Sequence, residues 1–367
     1  MQSSNLSGAS AGSQLFDTIV IGGGQAGLAA GYFLARAHQN FSILDGSPQT
    51  GTSWRNRWDS LRLFTPQQLN GLPGLPFPGR INSFPTKDEV ADYLEHYAEQ
   101  FDLPVRCNTK VDKLACRDGM YEVSAGPLTF LARNVIVANG PYHVPTTPSF
   151  AGELSSSIPQ MHSSAYRNPA QVSEDKVLVV GAGNSGTEIA LELANHGRHV
   201  WLSGRDVGRL PINGGIARVF AGKLAWSLMS RVLTVHTPMG RRARANFLHR
   251  GHPLGRATRA DVARAGIEMV PRLSGVEAGK PRLDDGRVLP AERILWATGY
   301  RPSYNWIDLP ILGDDGYPAH RGGVVTKAPG LYFVGLPFQT AITSSLLGGV
   351  GRDAEFIVRQ ITARSAS

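Results

Sequence analysis

The chain carries the same glycine-rich turn twice, and few folds accommodate that. FDTIVIGGGQAGLAAG sets Gly22, Gly24 and Gly27 in a G-x-G-x-x-G pattern, with Gln25 and Ala26 between the last two. KVLVVGAGNSGTEIA repeats the pattern with Gly181, Gly183 and Gly186 around Asn184 and Ser185. Each turn follows a short buried-looking run and opens small and apolar residues at helical spacing. Glycine serves the tight bend, the close approach of backbone to a pyrophosphate, and the close contact of helix on strand. Phosphates then rest on the free N–H groups at the helix start. Two such sites predict an α/β chain of two Rossmann-like dinucleotide-binding domains (three-layer ββα, FAD/NAD(P)-binding), the second inserted into the first.

The residue after the second strand separates the two sites. In the first copy NFSILDGS ends on Asp45, whose carboxylate suits the ribose hydroxyls of an adenosine. The same offset from Gly181 lands on Gly204, flanked by Ser203 and Arg205. A carboxylate would repel a 2′-phosphate, whereas a hydroxyl and a guanidinium would receive one. This pattern predicts FAD at the first turn and NADPH at the second, with NADH left open. Arg198 and Arg209 are further candidates for the 2′-phosphate.

The remaining pattern divides the chain. Residues 1–14 read as a polar, disordered tail. Residues 15–170 and 295–367 are expected to form the FAD domain, and 171–294 the NADPH domain with a basic insertion at 205–264. Residues 50–85, rich in Pro, Gly and Trp, read as a long functional loop. KDEVADYLEHYAEQF predicts a helix burying Val90, Tyr93, Leu94 and Tyr97, while VRCNTKVDKLAC, GMYEVSAG and RNVIVANG predict strands. GLYFVG and the C-terminal stretch predict a strand, a turn and a closing helix.

Composition narrows the function classes. The net charge of +8 is concentrated in the insertion, without the aromatic interleaving or helix-turn-helix pattern of a nucleic-acid binder. Cys107 and Cys116 form no C-x-x-C pair, so a dithiol relay is not expected, and their small number suits a reducing cytoplasm. No metal-ligand spacing occurs, and Gly8–Gly12 fits a hydrolase elbow only by chance, having no strand before it. VFAGKLAWSLMSRVLTVHTP is expected to pack in the core or cover a substrate channel, with peripheral membrane contact as the other reading.

Several blocks in order carry a family resemblance: GTSWRNRWDSLRLFTP, FPTKDEVADYLEHYA, VIVANGPYHVPTTP, ILWATGYRPSYNWI and LLGGVGRDA. Together the chain resembles the flavin-containing monooxygenases, most closely the short bacterial ones, from Phe16 to Ile361. The resemblance implies a cycle in which NADPH reduces FAD, O2 forms a C4a-hydroperoxyflavin, and a soft nucleophile such as a small sulfide or amine takes one oxygen. Trp54 and Arg55 would then lie along the flavin ribityl and pyrophosphate, and Val111 and the Ala138-Asn139-Gly140 block would join the cofactor contacts. Ala297-Thr298-Gly299 is the corresponding block of the second unit. Gly335, Gln339, Leu347 and Gly349 would approach the isoalloxazine. Beside Thr65, Phe64 or Pro66 stands where many members place an asparagine after a threonine near the reactive flavin carbon, a departure that implies more H2O2 leakage, and Phe64 and Thr65 are the residues the resemblance puts at the reacting centre. The interdomain fingerprint is loose here, running from Phe150 and Gly152 to His162 and Tyr166. Its Tyr-Arg ending favours heteroatom oxygenation over Baeyer–Villiger chemistry, and His162 could equally be a hinge residue. The rival readings are ketone oxygenation, an uncoupled NAD(P)H oxidase, and a non-catalytic flavoprotein of cation transport. A homodimer is the expected assembly.

Overall fold

The computed structural model describes residues 14–205, 207, 226–227, 229–250, 254–314 and 316–366. Its first unit opens with β1 (Gln14–Ile21), α1 (Gln25–Arg36) and β2 (Phe41–Leu44), a parallel pair in register from Thr18↔Phe41 to Ile21↔Leu44. After α2 (Thr52–Arg55) and α3 (Lys87–Gln100), β3 (Val105–Arg106) extends that edge. β4 (Lys113–Arg117), β5 (Met120–Ala125) and β6 (Leu128–Val137) form an antiparallel meander that returns β6 to the other side of β1.

β7 (Val144–Pro145) and β8 (Gln160–His162) lead into the second unit. There β9 (Lys176–Val180), α4 (Asn184–Asn195) and β10 (His199–Ser203) repeat the opening motif. α5 (Pro238–Arg250), α6 (Arg259–Arg264), β11 (Glu268–Val270), the hairpin β12 (Leu273–Glu277) and β13 (Lys280–Leu283), and β14 (Arg293–Trp296) follow. The sheet order is β11-β10-β9-β14-β8. The chain goes back through β15 (Tyr300–Arg301), antiparallel to β7, then places β16 (Leu331–Phe333) beside β6 and lays α7 (Val350–Ala366) near α1. The second unit is thus inserted into the first, and the β7–β15 ribbon is the crossing between them.

α3 shows why the loop of residues 50–85 holds its shape. Thr86 and Glu89 form a reciprocal capping box, satisfying two of the donors a helix start leaves free. Val90, Tyr93, Leu94 and Tyr97 are buried on one face, as their spacing predicts, each contributing about 2 kcal/mol of apolar burial. The Tyr93 hydroxyl accepts from Leu72 N at 2.7 Å and donates to Leu75 O at 2.7 Å, and Tyr97 donates to Pro73 O at 2.6 Å. The irregular segment near residues 70–77 is therefore pinned to a helix.

Two boundaries differ from the sequence expectation. The strand predicted across residues 105–116 is split into β3 and β4, because the intervening segment wraps the turn after β2: Asn108 N donates to Ser47 O and Thr109 N to Asp45 O, both at 2.8 Å. The FAD-domain limit at 170 is also too late. β8 pairs with β14, register Trp296↔His162, so residues 160–162 and 295–296 lie in the second sheet. Three residues with a partner more than a hundred positions away leave no periodicity to read.

Candidate functional site

The two glycine turns have the same backbone. Gly22 and Gly181 take φ of 110° and 113°, and Gly24 and Gly183 both take φ −79° and ψ −172°. Gly22 N donates to Leu44 O at 2.8 Å and Gly181 N to Ser203 O at 2.7 Å. A Cβ on Gly27 would lie 1.8 Å from Gly22 O, and one on Gly186 would lie 1.8 Å from Gly181 O. These glycines let the helix start sit on the strand end. A Cβ on Gly24 or Gly183 would meet nothing within 4 Å, so both turns face open space. The helices they open, α1 and α4, have no side-chain cap and no acid in the first turn, whereas α3 and α6 have full capping boxes. Free amides and the positive end of the helix dipole facing open space fit a pyrophosphate.

Register confirms which residues correspond. Ile21 pairs with Leu44 and Val180 with Ser203, so Gly204 occupies the Asp45 position. Asp45 Oδ2 accepts from Gly23 N at 2.5 Å and Oδ1 from Ser47 N at 2.7 Å, which aims the carboxylate across the first turn. At the second turn a cleft of about 330 Å³ is lined by Gly181, Ser203, Gly204, Arg205, Arg272 and Thr298, with Pro148 and Phe150 on its wall. The Ala138-Asn139-Gly140 and Ala297-Thr298-Gly299 blocks lie beside their turns. Ala138 N donates to Ile21 O at 2.8 Å and Ala297 N to Val180 O at 2.7 Å.

Residues 19–211 match the family model described as pyridine nucleotide-disulphide oxidoreductase. The chain is 39% identical over 351 residues to the uncharacterized oxidoreductase CzcO-like of Geobacillus kaustophilus (strain HTA426), covering 95% of this chain and 98% of that one. Indole-3-pyruvate monooxygenase YUCCA1 of Oryza sativa subsp. japonica is 31% identical over 372 residues, with 91% and 90% covered. The structure of the flavin-containing monooxygenase from Stenotrophomonas maltophilia matches with a TM-score of 0.78 at 26% identity, over 96% of this chain and 99% of that one. The chain belongs to the flavin monooxygenase family. It is an oxidoreductase that uses a flavin and a nicotinamide nucleotide.

Within this flavin monooxygenase, glycines again permit close approaches, here of the segments around β16 and α7 to the rest of the first unit. A Cβ on Gly335 would lie 2.8 Å from the Ala26 Cβ, one on Gly348 1.7 Å from Leu69 O, and one on Gly349 2.0 Å from Thr343 O. Gln25 Nε2 donates to Ser345 O at 2.8 Å. The segment before α7, with Leu347 buried, is thereby drawn onto the start of α1. Val111 packs, partly buried, against the core cluster that includes Ile21 and Leu44.

Several residues assigned by resemblance have other duties. Gln339 is 2% exposed; its amide donates to Phe333 O at 2.9 Å and Gly322 O at 3.2 Å and accepts from Leu336 N. It pins the turn after β16. Gln339→Ala should lower stability by about 2–4 kcal/mol through the orphaned backbone groups, read as a fall in Tm, with turnover per bound flavin preserved. Arg55 meets Asp92 at 2.8 Å and Glu95 at 2.6 Å, so it ties α2 to α3 and only its Nε is left without a partner. Trp54 packs on the same core. Thr65 donates to Asn70 Oδ1 at 2.5 Å, and the Asn70 amide is spent on Thr65 O and Pro66 O.

The insertion meets both units. Val235 N donates to Thr340 O at 2.9 Å, Ile342 N to Leu233 O at 3.1 Å, and Arg352 Nη1 to Ser230 O at 2.5 Å. Gly255 N donates to Asn184 Oδ1 at 2.8 Å, so that side chain holds the insertion. A Cβ on Gly255 would lie 2.2 Å from the Phe64 Cβ, which makes Phe64 a contact between the insertion and the loop of residues 50–85. Most of VFAGKLAW, and Arg209, lie outside the described residues. Arg198 is bound to Asp175 and Val172 O and does not line the cleft.

Both ring nitrogens of His162 are hydrogen-bonded. Nδ1 accepts from Ser164 N at 3.1 Å, so Nε2 carries the hydrogen donated to Gly299 O at 3.1 Å, joining β8 to the crossing ribbon. Burial lowers its pKa, against the opposing bond to Gly299. His320 is pushed down from 6.5 to about 4 by burial and then by the Arg244 guanidinium. The unfolded chain therefore binds more protons than the folded one below pH 6.5 or so, and the stability these residues confer is lost as pH falls toward the folded values. Neutral His320 alone accounts for about 2 kcal/mol lost by pH 5. Urea unfolding at pH 7 and pH 5 should show the drop, and His320→Gln should flatten it.

Proposed function

We propose that this chain is an NADPH-dependent FAD monooxygenase that oxygenates small soft nucleophiles, sulfides or amines. The observation that carries the reading is the pair of congruent, uncapped glycine turns, one facing an acid and the other a cleft with two arginines. On this reading Gly22, Gly24, Gln25, Ala26 and Gly27 receive the FAD pyrophosphate, with Asp45 on its ribose. Gly181, Gly183, Ser185 and Gly186 receive that of NADPH. Bound FAD supplies a two-electron carrier that accepts hydride and activates O2 for oxygen transfer. The chain orients the two dinucleotides against each other across the β7–β15 ribbon, and the insertion, fastened to residues 340–342 and to Asn184, shields the space between them from water.

The rice relative is named for indole-3-pyruvate, a 2-oxo acid, which brings a carbonyl substrate into the test. The purified protein should be yellow, bleach with NADPH faster than with NADH, and form one sulfoxide or N-oxide per NADPH with a thioether or tertiary amine. Stoichiometric H2O2 with every substrate would reduce the protein to an oxidase, and product from a 2-oxo acid alone would move it to carbonyl chemistry. A colourless protein that cannot be loaded with FAD overturns the proposal.

A further inference from the structure

An arch of the first unit reaches into the second. Both its feet stand at α3: Arg55 is paired with Asp92 and Glu95, and past the arch Lys87 N donates to Leu61 O at 3.1 Å and Leu63 N to Pro85 O at 2.8 Å. Three consecutive residues between the feet engage the other unit and its linking segments. The half-buried Arg57 lies against two tyrosines at the crossing ribbon, its Cζ 5.8 Å from the Tyr142 ring centre and 5.9 Å from that of Tyr300. Its Nη1 donates to the Tyr300 hydroxyl at 3.2 Å. Trp58 is 6% exposed and sits in the hydrophobic cluster of the second unit, where every other buried member among the described residues lies between Tyr166 and Leu295. Asp59 N donates to Arg167 O at 2.7 Å, and Asp59 Oδ2 accepts from Asn168 Nδ2 at 2.8 Å.

We propose that residues 57–59 are a bolt that holds the two units at one mutual angle, and that Arg57 and Trp58 are positioning residues for electron transfer from the nicotinamide nucleotide to the flavin. The inference rests on the two-dinucleotide reading and deepens it by naming what keeps the two nucleotides aligned. Units of one chain move relative to each other unless a packed apolar contact stops them. The crossing itself is two residues wide, β7 against β15, and a ribbon that short is marginal alone. Trp58 supplies the packed contact, and Asp59 ties down the linking segment beside it. Arg57 restrains the ribbon: its guanidinium is drawn to the ring faces of Tyr142 and Tyr300. The next residue back, Gly299, accepts from His162 of β8 at 3.1 Å, so the restraint continues into the second sheet. The bolt thereby meets both passages of the chain between the units, at Tyr142 and residues 167–168 on the way out and at Tyr300 on the way back.

Two measurements on the FAD-loaded protein test the bolt. Amide hydrogen exchange reads it without turnover, and anaerobic stopped-flow reduction by NADPH separates affinity from positioning. In Arg57→Ala the amides of residues 142–146 and 299–301 should exchange about tenfold faster than in wild type. The limiting rate of flavin reduction should fall about tenfold or more, since a misplacement of about 1 Å between reacting groups costs up to about a hundredfold. The NADPH dissociation constant should stay within about twofold of wild type, with flavin content and reduction by dithionite unchanged. Arg57→Lys, which keeps the charge without the planar fork, should recover only part of the rate. Trp58→Ala should show the same split between rate and affinity. Trp58→Phe should restore the rate, because the indole N–H has no partner among the described residues and its loss breaks no hydrogen bond. Wild-type exchange in Arg57→Ala overturns the bolt. Faster exchange with an unchanged limiting rate overturns the positioning role, and a loss of NADPH affinity as large as the loss of rate overturns it too by making Arg57 a nucleotide contact. Wild-type flavin that no nicotinamide nucleotide reduces sinks the two-dinucleotide reading and the positioning role with it, while the exchange result still decides the bolt.

Discussion

Gly186→Ala should yield a yellow protein that no nicotinamide nucleotide bleaches. The added methyl would lie 1.8 Å from Gly181 O and 3.0 Å from the Ala297 Cβ, so α4 must lift from β9 and carry its free amides out of line with the phosphates. Overpacking of this kind costs about 1–3 kcal/mol at the site, and the loss of the aligned amides comes on top. The affinity for NADPH should fall by about a hundredfold or more. The first glycine turn lies in a different unit and keeps its geometry. Gly27→Ala is the mirror experiment: its methyl would meet Gly22 O at 1.8 Å, and the purified protein should be colourless. Anaerobic titration with NADPH, together with flavin absorbance per mole of protein, reads both variants. Bleaching of Gly186→Ala at the wild-type rate would remove the second turn from the electron path.

The second large effect concerns a pair of positions that must change together. In the first unit Gly23 faces Asp45, and a Cβ on residue 23 would come within 3.0 Å of the carboxylate. In the second unit the same two places hold Ala182 and Gly204, and a Cβ on residue 204 would lie 2.6 Å from Ala182 N and 2.9 Å from its Cβ. A small residue on one side permits a side chain on the other. Gly204→Asp alone should therefore damage the fold of the turn and weaken both nucleotides. Ala182→Gly combined with Gly204→Asp removes the 2.9 Å contact with the Ala182 Cβ, leaves the 2.6 Å approach to the backbone N of residue 182 to be relieved by a shift of the turn, and places a negative charge where the 2′-phosphate would sit. The double variant should move the NADPH:NADH preference toward NADH by about two orders of magnitude. Equal preference in wild type and double variant would show that discrimination lies elsewhere.

The glycine turns were legible because they are local. Six consecutive residues carry the bend, the close contact and the helix start, and the backbone each requires is written in residue type. The acid at position 45 and its absence at 204 were legible for the same reason, since parallel strands at a fixed offset put both at one register. α3 was readable through its period and its Thr-x-x-Glu start. The duties of single side chains were not. Gln339 resembles a flavin contact but binds Phe333 and Gly322, Arg55 is answered by two carboxylates a helix away, and His162 is occupied by Ser164 and Gly299.

From residue order alone came two dinucleotide-type turns, their α/β setting, the insertion of one unit in the other, and the charge difference between their ribose positions. These follow from short-range sterics and strand register, which neighbouring residues dictate. The tertiary structure decided which polar groups remain free once the chain has packed. Ser203 was drawn inward to brace Pro271 and Leu273, and Arg272 was brought to the cleft from a distant connection. A buried donor or acceptor must find a partner wherever the fold supplies one, and that partner's place along the chain leaves no local trace.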